Sequence, residues 1–223
     1  MNWIKRAGKY ILNSLIGCKC PSSETIEKTN EYLSFDIFDT LIVRDLAEPK
    51  EVFRKIEQLQ QIPGFYKKRI AAEQKAREKA QGEVTIEDIY QCYPEIQPDQ
   101  VSEYCRRELD MELQVCHPNP RMISFYRECV ARKKVVLVSD MYFQTNHIKE
   151  ILNRCGIYGY ERIFVSCEIG ETKRSGKLYE AVLRELGVSK GNMMHIGNDF
   201  MSDYVGARKA GIKTVKVRTI AGK

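Results

Sequence analysis

Several absences narrow this 223-residue chain before any motif is read. No apolar run approaches the roughly 20 residues that a spanning helix needs, which excludes a helical transmembrane segment. No CxxC pair recurs at metal-binding spacing. The cysteines at Cys18, Cys20, Cys92, Cys105, Cys116, Cys129, Cys155 and Cys167 are scattered, several in apolar contexts where free thiols pack well. Cys18 and Cys20 form a pair with no partner cluster, so a reducing, cytoplasmic compartment is expected. There is no internal repeat, no low-complexity tract and no long basic block. The net charge of +6 is spread along the chain, and nucleic acid is not among the expected partners.

What is present is the composition of a soluble globular protein, 43% hydrophobic and 30% charged. The start, MNWIKRAGKYILNSLIG, carries Ile4, Ile11 and Leu15 at helical spacing with Lys5, Arg6 and Lys9 elsewhere on the wheel. Without a long apolar core or a small-residue cleavage site it is not a secretory signal. Residues 1–17 are expected to dock on their own domain or a partner, with a peripheral position on an anionic membrane as the alternative.

A polar connector, CKCPSSETIEKTN, leads to a first strand in EYLSFDIFDTLIV. From Pro49 to Gln114 the pattern is helical and highly charged, and it includes a short helix in TIEDIY opened by Thr85. Pro118 and Pro120 punctuate the return. Strands in VVLVSD, ERIFVS, NMMHIGND and IKTVKV then alternate with helices, the one in MSDYVGARKAG closed by Gly211. Uninterrupted apolar runs such as VVLV suit strands covered on both faces. The expected fold is therefore α/β, a Rossmann-like open parallel sheet flanked by helices with an inserted α-helical cap. The boundaries that follow are a helix and linker over 1–30, a core over 31–46 and 118–223, and a cap over 47–117.

In such sheets, sites gather at the carboxyl ends of strands. The strand ends deliver Asp36, Ser139, and the group Asn198, Asp199 and Asp203, while the basic segment GETKRSGKLY offers Lys173 and Lys177. A carboxylate, a hydroxyl, an amine and an acidic group together suit phosphoryl transfer with oxygen-bound Mg²⁺. The blander readings stand beside this one. Ser139 or Asp140 serves as a helix cap, Lys177 as a surface lysine, His195 as a hydrogen-bonded core histidine, and Met141 and Tyr142 as packing. His117 and His147 show no obvious partners. Arg69, Glu73 and Arg77 recur at helix spacing and read as a salt-bridged solvated face, with substrate recognition as the alternative.

FDIFDTL, VLVSDM, TKRSGKLY and HIGNDFMSDYVGARKAG, in that order, resemble the motifs of the haloacid dehalogenase-like hydrolases from about Leu33 to Val217. The resemblance implies Asp36 as the nucleophile of an aspartyl intermediate, Thr40 ordering its loop, and Lys173 neutralising charge on nucleophile and phosphate. It implies phosphate binding by Ser139, with Asp140 beside it. It further implies a Mg²⁺ site drawn from Asp36, Phe38, Asp199 and Asp203, with Asn198 as a substitute ligand.

Two positions depart from the family pattern. Phe38 stands where its phosphatases usually carry a general acid, and its dehalogenases carry an aromatic residue there. Asp39 follows one residue later, and either orders the loop or does part of the absent acid's work. Asn198 occupies the column that more often holds aspartate. The expected function is Mg²⁺-dependent hydrolysis of a small phosphorylated metabolite, with a sugar or polyol phosphate favoured by family analogy. The alternatives are a metal-independent dehalogenase and a catalytically impaired binding module.

Overall fold

The computed structural model describes residues 22–28 and 31–217. The reading of residues 1–17, and of Cys18 and Cys20, lies outside these. After a short helix α1 (Ser23–Glu27), strand β1 (Tyr32–Phe35) enters the centre of a five-stranded sheet of order β5-β4-β1-β6-β7. The partners are β4 (Lys134–Ser139), β5 (Arg162–Val165), β6 (Met193–Gly197) and β7 (Lys213–Lys216), and all pairings are parallel. Strand β4 shows why its apolar run is uninterrupted. Val135 and Leu137 pack into one core layer, while Val136 and Val138 pack into the other. Both faces of the sheet are thus covered by helices.

From β1 the chain first builds β4 and β5 on one side, then β6 and β7 on the other. This makes the carboxyl end of β1 a topological switch point, where the connections diverge and leave a crevice.

The charged block rises between two short strands, β2 (Ile42–Arg44) and β3 (Cys116–Pro118), which pair antiparallel as a stalk. Above the stalk lie α2 (Glu51–Leu59), α3 (Phe65–Ala80), α4 (Ile86–Gln91) and α5 (Val101–Val115). Thr85 caps α4 by accepting the Asp88 N–H, and Asp88 accepts the Thr85 N–H in return. Phe65, Tyr90, Tyr93 and Tyr104 form an aromatic cluster inside this helical unit.

Helix α3 corrects one expectation. Its buried residues are Phe65, Arg69, Ala72 and Ala76, a helical stripe facing inward. Arg69 is therefore fully buried, although its neighbours Glu73 and Arg77 grade towards solvent. Its guanidinium meets Glu108 of α5 through Nε at 2.7 Å and Nη2 at 3.0 Å, and the Tyr90 hydroxyl donates to the same carboxylate at 2.6 Å. Those bonds satisfy a pair whose desolvation would otherwise be costly. His117 also finds a partner across the stalk, Asp45 at 2.8 Å.

The remaining core helices are α6 (Ile123–Arg132), α7 (Thr145–Arg154), the single turn α8 (Ser166–Ile169) and α9 (Lys177–Leu186). The expected helix after β6 begins as a π-helical segment (Phe200–Gly206) and becomes α10 only at Ala207–Lys209. Among the described residues, no helix is long and apolar enough to cross a membrane.

Candidate active site

Asp36 follows the last residue of β1, and its N–H donates to the Ile196 carbonyl at 2.9 Å, so the strand direction continues past the sheet. The chain then turns sharply. The Ile37 carbonyl accepts the N–H groups of both Leu41 and Ile42, and Asp39 N–H donates to the Ile42 carbonyl. Asp39 has a φ of +61°, a left-handed conformation that aspartate tolerates better than most side chains. Its place in the turn is thereby explained as backbone geometry. Asn119, just past β3, holds the turn from below, its Nδ2 donating to the Thr40 carbonyl at 2.7 Å and its N–H to the Leu41 carbonyl at 2.8 Å.

The turn aims Asp36 at a cation. Lys173 Nζ lies 2.5 Å from Asp36 Oδ1 and 2.6 Å from Asp203 Oδ1, and all three residues are buried. Thr40 Oγ1 donates to Asp36 Oδ2 at 2.8 Å and stands 3.1 Å from Asn198 Oδ1. The Lys173 backbone N–H is itself anchored on Asp140 Oδ1 at 2.7 Å. The register Phe35↔Leu137 carries Ser139, the last residue of β4, to the same end of the sheet as Asp36. Two glycines make the approach feasible. A Cβ on Gly197 would stand 2.3 Å from the Asp203 carboxyl carbon, and one on Gly206 would stand 1.9 Å from the Lys173 carbonyl oxygen.

The electrostatics follow from burial and from one ammonium shared between two carboxylates. Burial and the neighbouring Asp203 push the Asp36 carboxyl up to about 7, against the pull of Lys173. Despite its own burial, Asp203 is held below the usual carboxylate range by Lys173 and His195. Lys173 is held above the usual lysine range by Asp203 and Asp36, although burial opposes this. Burial raises Asp140.

The expected metal ligands separate into two groups. Asp203 Oδ1 accepts from Lys173 and Oδ2 from the Asp199 N–H at 2.8 Å, so this carboxylate anchors the site's lysine. Asp199 Oδ1 accepts the N–H groups of Met201 and Ser202 and caps the π-helical turn. Asp36 and Asn198 remain together, with oxygens on either side of Thr40 Oγ1. The Phe38 carbonyl is not consumed by the bonds that shape the turn. Among the described residues, no group of three His, Cys, Asp or Glu side chains is placed to hold a metal. One carboxylate and two neutral oxygens still suit Mg²⁺, which binds through one or two carboxylates and takes its remaining ligands from water and substrate phosphate.

Lys177, by contrast, is exposed and pairs with Glu171. The sequence reading did not single out Asn119, Arg44 or Glu83. The Arg44 guanidinium covers the Phe38 ring. Glu83 accepts from the Ser166 hydroxyl at 2.6 Å, and Ser166 Oγ in turn accepts the Met141 N–H at 3.0 Å. With the Ile86 N–H on the Tyr142 carbonyl, these bonds join the helical unit to the loop that follows Ser139. Only Asn119 carried any sequence signal, its position between two prolines.

A family model described as haloacid dehalogenase-like hydrolase matches residues 32–211. No curated protein matches the sequence significantly. Among solved structures, a 2-haloacid dehalogenase from Pseudomonas syringae pv. Tomato aligns with a TM-score of 0.61 at 14% identity, covering 82% of this chain and 84% of that one. A HAD phosphatase from Thermococcus onnurineus aligns with a TM-score of 0.52, also at 14% identity and over the same shares of the two chains. A HAD-hydrolase from Bacillus subtilis, bound to magnesium, aligns with a TM-score of 0.55 at 16% identity, covering 84% of this chain and 88% of that one. At such identities the alignments speak to the fold.

Proposed function

Because the chain belongs to the haloacid dehalogenase-like hydrolases, we propose that it hydrolyses a small phosphate monoester through an aspartyl-phosphate at Asp36, with Mg²⁺ as cofactor. The observation that carries this reading is Lys173 Nζ bridging Asp36 and Asp203, with Thr40 on the second Asp36 oxygen. A buried carboxylate with a fixed cation at its side is an oriented nucleophile beside a charge that can neutralise an incoming phosphate.

In the first step an Asp36 oxygen attacks phosphorus as the bond to the ester oxygen breaks, and the departing alkoxide takes its proton from water, since Phe38 supplies none. In the second, water attacks the phosphorus of the acyl phosphate, releasing inorganic phosphate and restoring Asp36. The proton that this attacking water gives up returns to solvent and closes the balance. Lys173 neutralises the phosphoryl oxygens, Ser139 binds one of them, and Thr40 keeps Asp36 facing the substrate. Asp36, the Phe38 carbonyl and Asn198 are the groups that would hold Mg²⁺, which would supply further charge neutralisation on the phosphate. A sugar or polyol phosphate in a cytoplasmic setting is the substrate we favour.

Carbon–halogen hydrolysis is the second reading, and Phe38 favours it: a halide leaves as an anion and needs no acid. The test is phosphate release from sugar, polyol and nucleotide monophosphates, with Mg²⁺ or chelator, beside halide release from 2-haloacids, for the wild type and Asp36→Asn. Metal-dependent phosphate release lost in the variant supports the phosphohydrolase. Halide release indifferent to chelator overturns it in favour of the second reading.

A further inference from the structure

Strand β6 reads MMHIG, and every residue of it is buried. An apolar side chain at position 195 would fill that space without desolvating a polar ring. His195, fully buried, instead makes two directed contacts. Its Nδ1 lies 2.8 Å from Ser34 Oγ on β1, and its Nε2 lies 3.2 Å from Asp203 Oδ1. The Tyr179 ring meets the imidazole edge-on at 4.9 Å, and the Tyr179 hydroxyl donates to the Ser202 carbonyl, next to Asp203.

The proton positions follow from the partners. Ionised Asp203 can only accept, so Nε2 carries the hydrogen, and Nδ1 accepts from the Ser34 hydroxyl. Asp203 Oδ1 is then shared by His195 and Lys173, and Oδ2 is held by the Asp199 amide. With both oxygens held, the carboxylate loses the broad rotation usual for an aspartate side chain. The Lys173 ammonium, which reaches Asp36 from that carboxylate, is oriented in turn.

We propose that His195 is a positioning residue: oriented by Ser34, its Nε2–H fixes the Asp203 carboxylate that presents Lys173 to Asp36. The proposal deepens the phosphohydrolase reading, and its activity arm rests on it. The geometry itself is independent of the reaction.

The experiment compares His195→Gln, His195→Asn and His195→Phe in the full chain. A glutamine amide reaches the place of Nε2 and still donates to Asp203, whereas asparagine reaches only the Ser34 side. With p-nitrophenyl phosphate, His195→Gln should retain most of the rate. His195→Asn and His195→Phe should lose about 10- to 100-fold in kcat with KM little changed, the loss seen when a group that holds a catalytic side chain's partner in place is removed.

Two spectroscopic readouts need no turnover. ¹⁵N NMR at pH 8 should show His195 protonated at Nε2 and bare at Nδ1, and the Lys173 Nζ resonance should move in the Asn variant but not in the Gln variant. Should the Phe variant fail to fold, Ser34→Ala removes only the hydroxyl that orients the ring, and should lower kcat about two- to fivefold in the same direction. The opposite tautomer, or equal behaviour of the Gln and Asn variants, overturns the proposal. A wild type without phosphatase activity overturns the reaction instead, and the resonances still decide the role of His195.

Discussion

The guanidinium of Arg44 lies 4.4 Å above the ring of Phe38, held there by two bonds to Glu112, at 2.8 Å from Nε and 2.9 Å from Nη2. Phe38 sits two residues beyond Asp36, the proposed nucleophile, and is bridged to Ile42, so its backbone is fixed as well. In the proposed reaction, the position that would hold an acid for the leaving group is thus taken by a ring covered on one face by a buried ion pair. A substrate whose leaving group departs readily as an anion suffers least from that arrangement.

Restoring an acid there tests the point. Phe38→Asp should raise kcat for alkyl phosphates by about 10- to 100-fold while changing p-nitrophenyl phosphate hydrolysis far less, because general acid catalysis assists poor leaving groups most. Rates across esters of graded leaving-group pKa measure it. A uniform change across the series would mean that Phe38 affects the site's shape alone.

Asp36 should be costly to the fold and indispensable to the reaction. Its folded pKa of about 7 lies above its ordinary value, so its stabilising contribution is fully present only below about pH 4 and is lost as pH rises towards 7. Asp36→Asn should therefore abolish turnover and raise the melting temperature, by more at pH 8 than at pH 5. A chain of this size gains about 2–4 °C per kcal/mol. Scanning calorimetry at both pH values reads the difference, and a lower melting temperature for the variant at pH 8 would contradict the assignment.

The buried pair in the helical unit makes a different prediction. Arg69→Leu leaves Glu108 buried with the Tyr90 hydroxyl as its remaining donor, and should destabilise by about 3–5 kcal/mol. Arg69→Leu combined with Glu108→Leu should cost less than the first change alone. Urea unfolding of both single variants and the double variant closes the cycle, and simple additivity would show the pair is not coupled.

His195 should make the protein acid-sensitive. Burial lowers its pKa below the ordinary 6.5, so the unfolded chain binds a proton that the folded chain resists. Stability is full above about pH 6.5 and falls as pH drops towards the lowered folded value. Asp36 titrates in the opposite sense over the same range, so the readout is the difference between the wild type and His195→Gln, which does not titrate. The melting temperature of the wild type relative to the variant should fall as pH drops from 7.5 to 5.

Much of the fold was legible because its signals are local. The VVLV run, the turn residues and the alternation of strand and helix each report on a few consecutive side chains, and they mark out a parallel sheet with a helical insertion. Lys173 could be found from its place in a basic segment before a helix and from the resemblance of TKRSGKLY to a family motif. Arg69 could not be read correctly, since its spacing with Glu73 and Arg77 fits an exposed stripe as well as an inward one. Only the packing of α3 against α2 and α4, with Glu108 of α5 waiting for the guanidinium, decided which face turned in.

The order of residues along the chain already shows which chemical groups reach the site: Asp36, Ser139 and Asn198 at or just past the close of an apolar run, and Asp203 in the segment that follows the last of them. Which partners each one meets there depends on the folded chain. It gave the Asp203 carboxylate to Lys173 and His195, gave Asp199 to the following turn, and left Asn198 beside Asp36 across Thr40. Spacing along a strand sets which end of the sheet a side chain reaches. The claims of competing donors on a carboxylate depend on distances between segments as far apart in sequence as residues 34, 173 and 195, and those exist only once the sheet has formed.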